Sequence, residues 1–374
     1  MLGLYVHIPF CVEKCVYCDF PSYGGVLDRF EASYVPALCR EIGAAPFAGE
    51  QADTIYFGGG TPSLLEADEI GMIIEALRRR YDVTADAELT VEANPESMDF
   101  AYAKALAALG VNRVSLGIQS TNDDMLRFLS RAHTARQGLD AVQAVYDSGI
   151  HNISVDFMYG LPGQTLAMVE ADMAALRRLP VTHASIYSLI VEEGTKMKRL
   201  VDTGAVTLPD DEAVEQMGQY IHQAMHDAGF HHYEISSYAK EGFPSRHNQK
   251  YWMYTPYLGF GAAAHSFDGT TRWANTRSLP QYIERAGQDS VRSDVVQIDE
   301  KRAVEDYCFL ALRMRQGLSC EAFKARFGRP VEAEFGPILE RLVAQGLMER
   351  RDSYWRLTDV GLAYGNYVFS QFIR

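Results

Sequence analysis

The sequence predicts an α/β protein: a partial (β/α)6 barrel of the TIM type, followed by a small C-terminal α+β domain of winged-helix type. Three observations predict it. From residue 2 to about 240, short β-branched or apolar runs alternate with amphipathic helical stretches, the pattern of a parallel sheet covered by helices. Nearly every marked polar or Gly-rich feature falls just after such a run, the end of the sheet where βα barrels build their sites. After about residue 290 the pattern changes to helices followed by a hairpin.

The strand candidates are LYVHI from Leu4, TIYFG from Thr54, ELTVEAN from Glu88, RVSLGIQ from Arg113, ISVDFMYG from Ile153 and ASIYSLI from Ala184. Between them lie the helical stretches EADEIGMIIEALRRRY from Glu66, AYAKALAALG from Ala101 and TARQGLDAVQAVYDSG from Thr134. The last two close on a glycine, the residue that tolerates the left-handed turn after a helix. CEAFKARFG from Cys320 and VEAEFGPILERLVAQGLMERRDSYWRLTDVGLAYG from Val331 supply the C-terminal helices and hairpin. The resulting division is a core barrel over 1–235, an extension over 236–290 that carries HNQKYW, and a terminal domain over 291–374.

Among the 374 residues, 47% are apolar, enough for a sizeable core. Lys and Arg number 35 against 49 Asp and Glu, a net charge of -14 that repels phosphate backbones. Nucleic acid is not an expected partner, and the winged-helix-like end reads as a packing or docking module rather than a DNA reader. MLGLYVHIPFC has no basic segment, apolar stretch or cleavage site of a signal peptide, and no run reaches the ~18 apolar residues that span a bilayer. A cytoplasmic location is expected, with peripheral attachment to a membrane left open.

Three of six cysteines, Cys11, Cys15 and Cys18, fall within eight residues, which points to a metal site in a reducing compartment instead of a disulfide framework. Cys39, Cys308 and Cys320 read as ordinary thiols. Three thiolates at C-x-x-x-C-x-x-C on a short loop can converge on a cuboidal iron-sulfur cluster and leave one iron open. Zinc is the alternative, but structural zinc asks for four ligands and no second cysteine pair exists. This loop, with Tyr17 before its last cysteine, resembles the radical SAM superfamily. The resemblance implies a [4Fe-4S] cluster whose open iron chelates S-adenosylmethionine and whose electron cleaves the sulfonium to a 5'-deoxyadenosyl radical. Gly58, Gly59, Gly60, Thr61 and Pro62 follow the second strand and resemble that family's motif for the SAM amino group; glycines there let a ligand approach the backbone.

A wider set of strings carries a closer resemblance: YVHIPFC at Tyr5, GGGTPSLL at Gly58, VEANPES at Val91, LGIQS at Leu116, VDFMYGLPGQT at Val155, YEISSYA at Tyr233, HNQKYW at His247 and GFGAAAHSF at Gly259. They are similar to the branch that holds oxygen-independent coproporphyrinogen III dehydrogenases and heme chaperones, the HemN and HemW families. By motif position, the resemblance implies that Tyr5, Tyr17, Gly59, Gly60, Thr61, Glu92, Gln119, Arg131 and Asp156 contact SAM. Chemistry agrees: Glu92 and Asp156 can accept from an ammonium or ribose hydroxyls, and Arg131 can pair with a carboxylate. Two departures separate the chain from the dehydrogenases. Phe20 stands where they carry a fourth cysteine, and Tyr5 lies near the start where they carry a long preceding segment.

The chaperone side of the branch implies heme as a ligand, acceptor haemoproteins, membrane-associated respiratory ones among them, a reductant for the cluster, and room for a cluster-dependent homodimer. His247 sits among Tyr251, Trp252, Tyr254 and Tyr257 in what reads as a polar-aromatic loop, and a neutral imidazole is a good heme ligand. His265, in AAAHS, is an alternative heme ligand or a lining residue of the SAM cavity. His7 reads as an orienter of the cluster loop, and His231 and His232 as structural. The expected function is heme trafficking; the alternative is a radical enzyme acting on a tetrapyrrole or quinone by oxidation, ring opening or methylation. No catalytic residue is assigned.

Overall fold

A computed structural model describes all 374 residues. Six parallel strands form its spine: β1 (Leu2–Ile8), β2 (Gln51–Gly59), β3 (Asp82–Ala93), β4 (Arg113–Gln119), β5 (Asn152–Tyr159) and β6 (His183–Ser188). Each pairs with the next in chain order. These are the six βα units of the sequence reading.

The sheet then extends at both edges. The hairpin β7 (His231–Glu234) and β8 (Ser237–Ala239) adds to β6. On the other side β9 (Tyr257–Phe260) runs parallel to β1, and β10 (His265–Phe267), β11 (Thr271–Asn275) and β12 (Arg292–Gln297) continue antiparallel. The order is β12-β11-β10-β9-β1-β2-β3-β4-β5-β6-β8-β7. The two ends do not pair, so the barrel stays open.

Alternation along each strand separates two environments. Leu4, Val6 and Ile8 of β1, Ile55 and Phe57 of β2, Leu89 and Val91 of β3 and Val114, Leu116 and Ile118 of β4 face outward into one apolar core. Helices Leu27–Ala44, Ala67–Arg80, Phe100–Ala108, Ala135–Asp147 and Leu166–Leu176 cover it. The third of these begins at Asp99, whose side chain accepts from Tyr102 N, and the fourth at a Thr134–Gln137 capping box. The residues between the apolar ones turn inward: register sets Tyr5 beside Tyr56, His7 beside Gly58, Glu92 beside Ser115, and Asp156 beside Gly117 and Ser185. The lumen of the open barrel is therefore polar.

Helices Glu300–Ala311, Cys320–Phe327 and Val331–Ala344 and the hairpin Met348–Arg351/Tyr354–Leu357 enclose a second core around Val304, Phe323, Phe335, Leu339 and Trp355. Tyr254 and Phe267 belong to that same core, and Arg272 pairs with Asp306 at 2.9 Å. The terminal helices thus rest on the β10–β11 edge of the large sheet. No helix is long and apolar enough to cross a membrane.

Candidate functional site

The cysteine loop leaves the C-terminal end of β1. Phe10–Cys11 pairs with Tyr23–Gly24, which closes the loop at its base, and Cys18 N bonds to Cys15 O at 3.2 Å in its turn. All three thiols are free and partly exposed. Burial pushes the Cys11 and Cys18 thiols up, and the neighbouring Cys15 adds to both shifts, so the three sulfurs lie within electrostatic reach of one another. Phe20 is 62% exposed, while its carbonyl accepts from Lys14 Nζ at 2.8 Å.

His7 fixes the far end of this loop. Its Nε2 lies 2.9 Å from Pro21 O, which can only accept, so Nε2 carries the proton and Nδ1 accepts from the Tyr5 hydroxyl, also at 2.9 Å. Burial lowers His7 to about 4, which keeps it neutral. The reading of His7 as an orienter of the loop agrees with this geometry.

The Gly-rich turn packs directly against that histidine. Gly59 has φ +114, and a Cβ there would stand 2.4 Å from the His7 ring; one at Gly60 would stand 2.5 Å from Phe10 O. Only glycine fits either position. Glu92 accepts from the Tyr56 hydroxyl at 2.6 Å and from Gly59 N at 3.2 Å. Thr61 Oγ1 points to Cys11 Sγ at 3.8 Å, and Arg131 Nη1 to Cys15 Sγ at 3.5 Å. Gln119 ends β4 with φ +67, which folds its amide back over Gly117. Tyr17, raised by burial and by Cys15, lies beside Arg131. Asp156 is raised to about 7 by burial and then by Glu92, against the pull of Arg113, Ser185 and Ser115. The structure thus gathers Cys11, Cys15, Tyr17, Thr61, Gly59, Glu92, Arg131 and Gln119 by contact at the strand ends, with Tyr5 and Asp156 on the lumen wall below.

The donor set fits a cluster held by three cysteines. A hydroxyl and a guanidinium aim at two of the sulfurs, the partners that a negative thiolate-bound cluster calls for. Arg131 Nε is buried with no partner, a spare donor beside the loop for a carboxylate.

Four residues that the sequence reading did not single out complete the site. Asn94 bridges Thr61 and Arg131; Gly117 accepts from Arg131 Nη2 at 2.7 Å; Tyr56 holds Glu92; and Arg113, 1% exposed, sets a positive charge among Glu88, Tyr56, Tyr233 and Asp156. Asn94 had one signal: it stands two residues past Glu92 at a strand end, and the following Pro95 biases its backbone to extended.

The region of His247 differs from the expected loop. Residues Arg246–Trp252 form a short helix, capped by the Ser245 hydroxyl on Asn248 N and by Glu88, which accepts from Arg246 N and His247 N at 3.0 Å each. The helix closes the lumen from the N-terminal side of the sheet. His247 is 1% exposed, with Nδ1 2.8 Å from Thr54 Oγ1 and Nε2 2.8 Å from the Tyr251 hydroxyl. Burial, with Lys250 nearby, lowers it to about 3. With both nitrogens engaged and the ring enclosed, a heme does not fit on His247 in this conformation. His265 opens β10 and is exposed; burial of its inner part lowers it, and its charge reaches His7. His232 stacks on Tyr238 with centroids 4.6 Å apart, and His231 is exposed on the edge hairpin.

Comparison with known proteins places these features in families. Residues 5–176 match the radical SAM superfamily model and residues 298–364 the HemN C-terminal domain model. The chain is 35% identical to the heme chaperone HemW of Bacillus subtilis over 100% of its own length and 99% of that protein. It is 32% identical to the heme chaperone HemW of Escherichia coli, covering 100% of this chain and 98% of that one. In structure it resembles coproporphyrinogen III oxidase HemN of Escherichia coli with TM-score 0.86 at 22% identity, over 100% of this chain and 90% of that chain. That likeness speaks for the fold.

Proposed function

Since the chain belongs to the HemW family of radical SAM proteins, we propose that it is a heme chaperone: it binds heme and passes it to acceptor haemoproteins. In this reading Cys11, Cys15 and Cys18 hold a [4Fe-4S] cluster, and Tyr5, Tyr17, Gly59, Gly60, Thr61, Glu92, Gln119, Arg131 and Asp156 form the SAM pocket. The observation that carries it is the match to HemW chaperones over the full length together with the three-thiol loop faced by Thr61 and Arg131. When bound, the cluster supplies the electron for reductive cleavage of SAM.

The chain's own residues divide the remaining work. The Phe10–Cys11 and Tyr23–Gly24 pairing closes the base of the loop that carries the three cysteines. His7 holds Pro21 and so the shape of the loop after Cys18. Glu92 and Asp156 place carboxylates where a ligand with ammonium and sulfonium charges is favoured, and the Arg131 guanidinium suits its carboxylate. For an imidazole ligand to heme there are two candidates, and they differ in access. His265 is open, whereas His247 serves only if the Arg246–Trp252 helix leaves the lumen. The reading places the protein in the cytoplasm, meeting membrane-bound acceptors from outside the bilayer.

Anaerobic reconstitution with iron and sulfide followed by heme titration tests this reading. Stoichiometric heme uptake without conversion of coproporphyrinogen III supports it; turnover of coproporphyrinogen III favours the radical enzyme instead. His265→Ala and His247→Ala variants assign the ligand: whichever abolishes the heme band while keeping the fold identifies the imidazole.

A further inference from the structure

Asn94 joins two groups that face the cysteine loop from different segments, Thr61 just after β2 and Arg131 in the turn after helix Asp123–Phe128. Its Nδ2 donates to Thr61 Oγ1 at 3.2 Å, and its Oδ1 accepts from Arg131 Nη2 at 2.6 Å. Thr61 in turn reaches Cys11 and Arg131 reaches Cys15. A continuous path, Cys11–Thr61–Asn94–Arg131–Cys15, therefore joins two of the three thiols through a single carboxamide.

The surroundings fix that carboxamide in place. Asn94 has φ -96 and ψ 148, the extended backbone favoured before Pro95, and its backbone carbonyl accepts from Ser97 N at 3.1 Å and Ser97 Oγ at 3.0 Å. On the far side Gly117 leaves room: a Cβ there would lie 3.1 Å from Arg131 Nη2 and 3.3 Å from Asn94 Oδ1. Arg131 lies in the segment between Ser130 and His133, and His133 is anchored to Ile118 O at 3.1 Å and to Glu96 at 3.3 Å. A carboxamide carries a donor and an acceptor on one planar group, so it can donate to a hydroxyl and accept from a guanidinium at once.

We propose that Asn94 is a positioning residue that sets the reduction potential of the cluster by clamping the Arg131 guanidinium against the Cys15 sulfur and the Thr61 hydroxyl toward the Cys11 sulfur. The inference rests on the assignment of a cluster to these cysteines. Its physics is electrostatic: a positive charge and a hydrogen-bond donor held at the sulfurs favour the reduced, more negative cluster. Without Asn94, Arg131 Nη2 keeps only the Gly117 carbonyl, and the hold that aims Nη1 at the Cys15 sulfur loosens.

The test is an EPR-monitored dithionite titration of the reconstituted, SAM-free protein, wild type against Asn94→Ala. The variant is expected to have a more negative midpoint, with about a tenfold lower ratio of reduced to oxidised cluster at the wild-type midpoint, which for one electron is 59 mV. In an Arg131→Ala background Asn94→Ala is expected to add little, because its effect runs mainly through that side chain. An unchanged midpoint in Asn94→Ala, or a full additional shift in the Arg131→Ala background, overturns the proposal while leaving the cluster assignment intact. Absence of a cluster from the wild-type protein overturns that assignment instead. If Asn94→Ala loads no cluster while the thermal transition of the unloaded protein is preserved, there is no midpoint to compare and Asn94→Ser is titrated in its place. If the fold is lost too, Asn94→Ser, which keeps one of the two partners, is titrated, and an unchanged midpoint there again overturns the proposal.

Discussion

Tyr56 stacks on His247 with 5.0 Å between ring centroids and a 27° tilt, while its hydroxyl donates to Glu92 at 2.6 Å. One side chain thus touches both the wall of the proposed SAM pocket and the helix that plugs the lumen. The plug is held by Thr54 on the imidazole, whose other nitrogen meets Tyr251 within the helix, and by Lys250, which pairs with Asp53 at 2.5 Å.

Removing one support of this plug is expected to destabilise the protein without disturbing the cysteine loop. Thr54→Val keeps the shape but leaves His247 Nδ1 buried without a partner, a cost of about 1–3 kcal/mol. Urea unfolding of the unloaded protein checks it. A midpoint equal to wild type would mean that the imidazole is not latched.

The SAM pocket is expected to titrate near neutrality. Asp156 is raised to about 7, by burial first and by Glu92 second, so it is largely protonated at pH 6 and ionised at pH 8. A cationic ligand prefers the ionised form, and SAM affinity of the cluster-loaded protein is expected to rise several-fold across that interval. Isothermal titration checks the slope, and Asp156→Asn is expected to flatten it.

Glu41 gives stability of the opposite pH sense to an ordinary carboxylate. It is buried under helix Leu27–Ala44, accepting from Tyr282 at 2.6 Å, Asn275 at 2.5 Å and Gly261 N at 2.9 Å, and burial raises it to about 7 from 4.5. The folded state therefore binds a proton more tightly than the unfolded one. The contribution is full below about pH 4.5 and is lost as pH rises through 7, amounting to roughly 3 kcal/mol at most. Compared with Glu41→Gln by urea unfolding, the wild type should lose relative stability between pH 5 and 8; parallel curves would contradict the assignment.

Gly59→Ala combines a left-handed backbone with a Cβ driven into the His7 ring. It is expected to cost about 1–3 kcal/mol and to disorder the loop that His7 holds. Loss of cluster absorbance together with a lowered thermal midpoint checks both effects.

The parts of the fold legible in the sequence are those written locally. The six parallel strands announce themselves by apolar runs such as Leu4–Ile8 and by the polar residues that follow, and three cysteines in eight residues need no tertiary information to be read as a metal loop. Gly117 and Tyr56 were not legible, and Asn94 only by its place at a strand end before Pro95, because their roles exist only when β2, β3 and β4 stand side by side. The Arg246–Trp252 helix was hidden by composition: its mix of polar and aromatic residues has no apolar stripe, and its stability comes from Glu88 and the lumen wall. The strands β9 to β12 were also unread, since β9 pairs with β1 across about 250 residues of chain.

The most direct measurement is heme handover. The reconstituted protein, loaded with heme under anaerobic conditions in the presence of SAM, is mixed with an apo-cytochrome of the b type and followed by absorbance. Appearance of the acceptor's heme spectrum at the expense of the donor's, with the tetrapyrrole recovered unaltered, is the result expected of a heme chaperone. Heme that is not taken up, not released, or recovered chemically changed would contradict it.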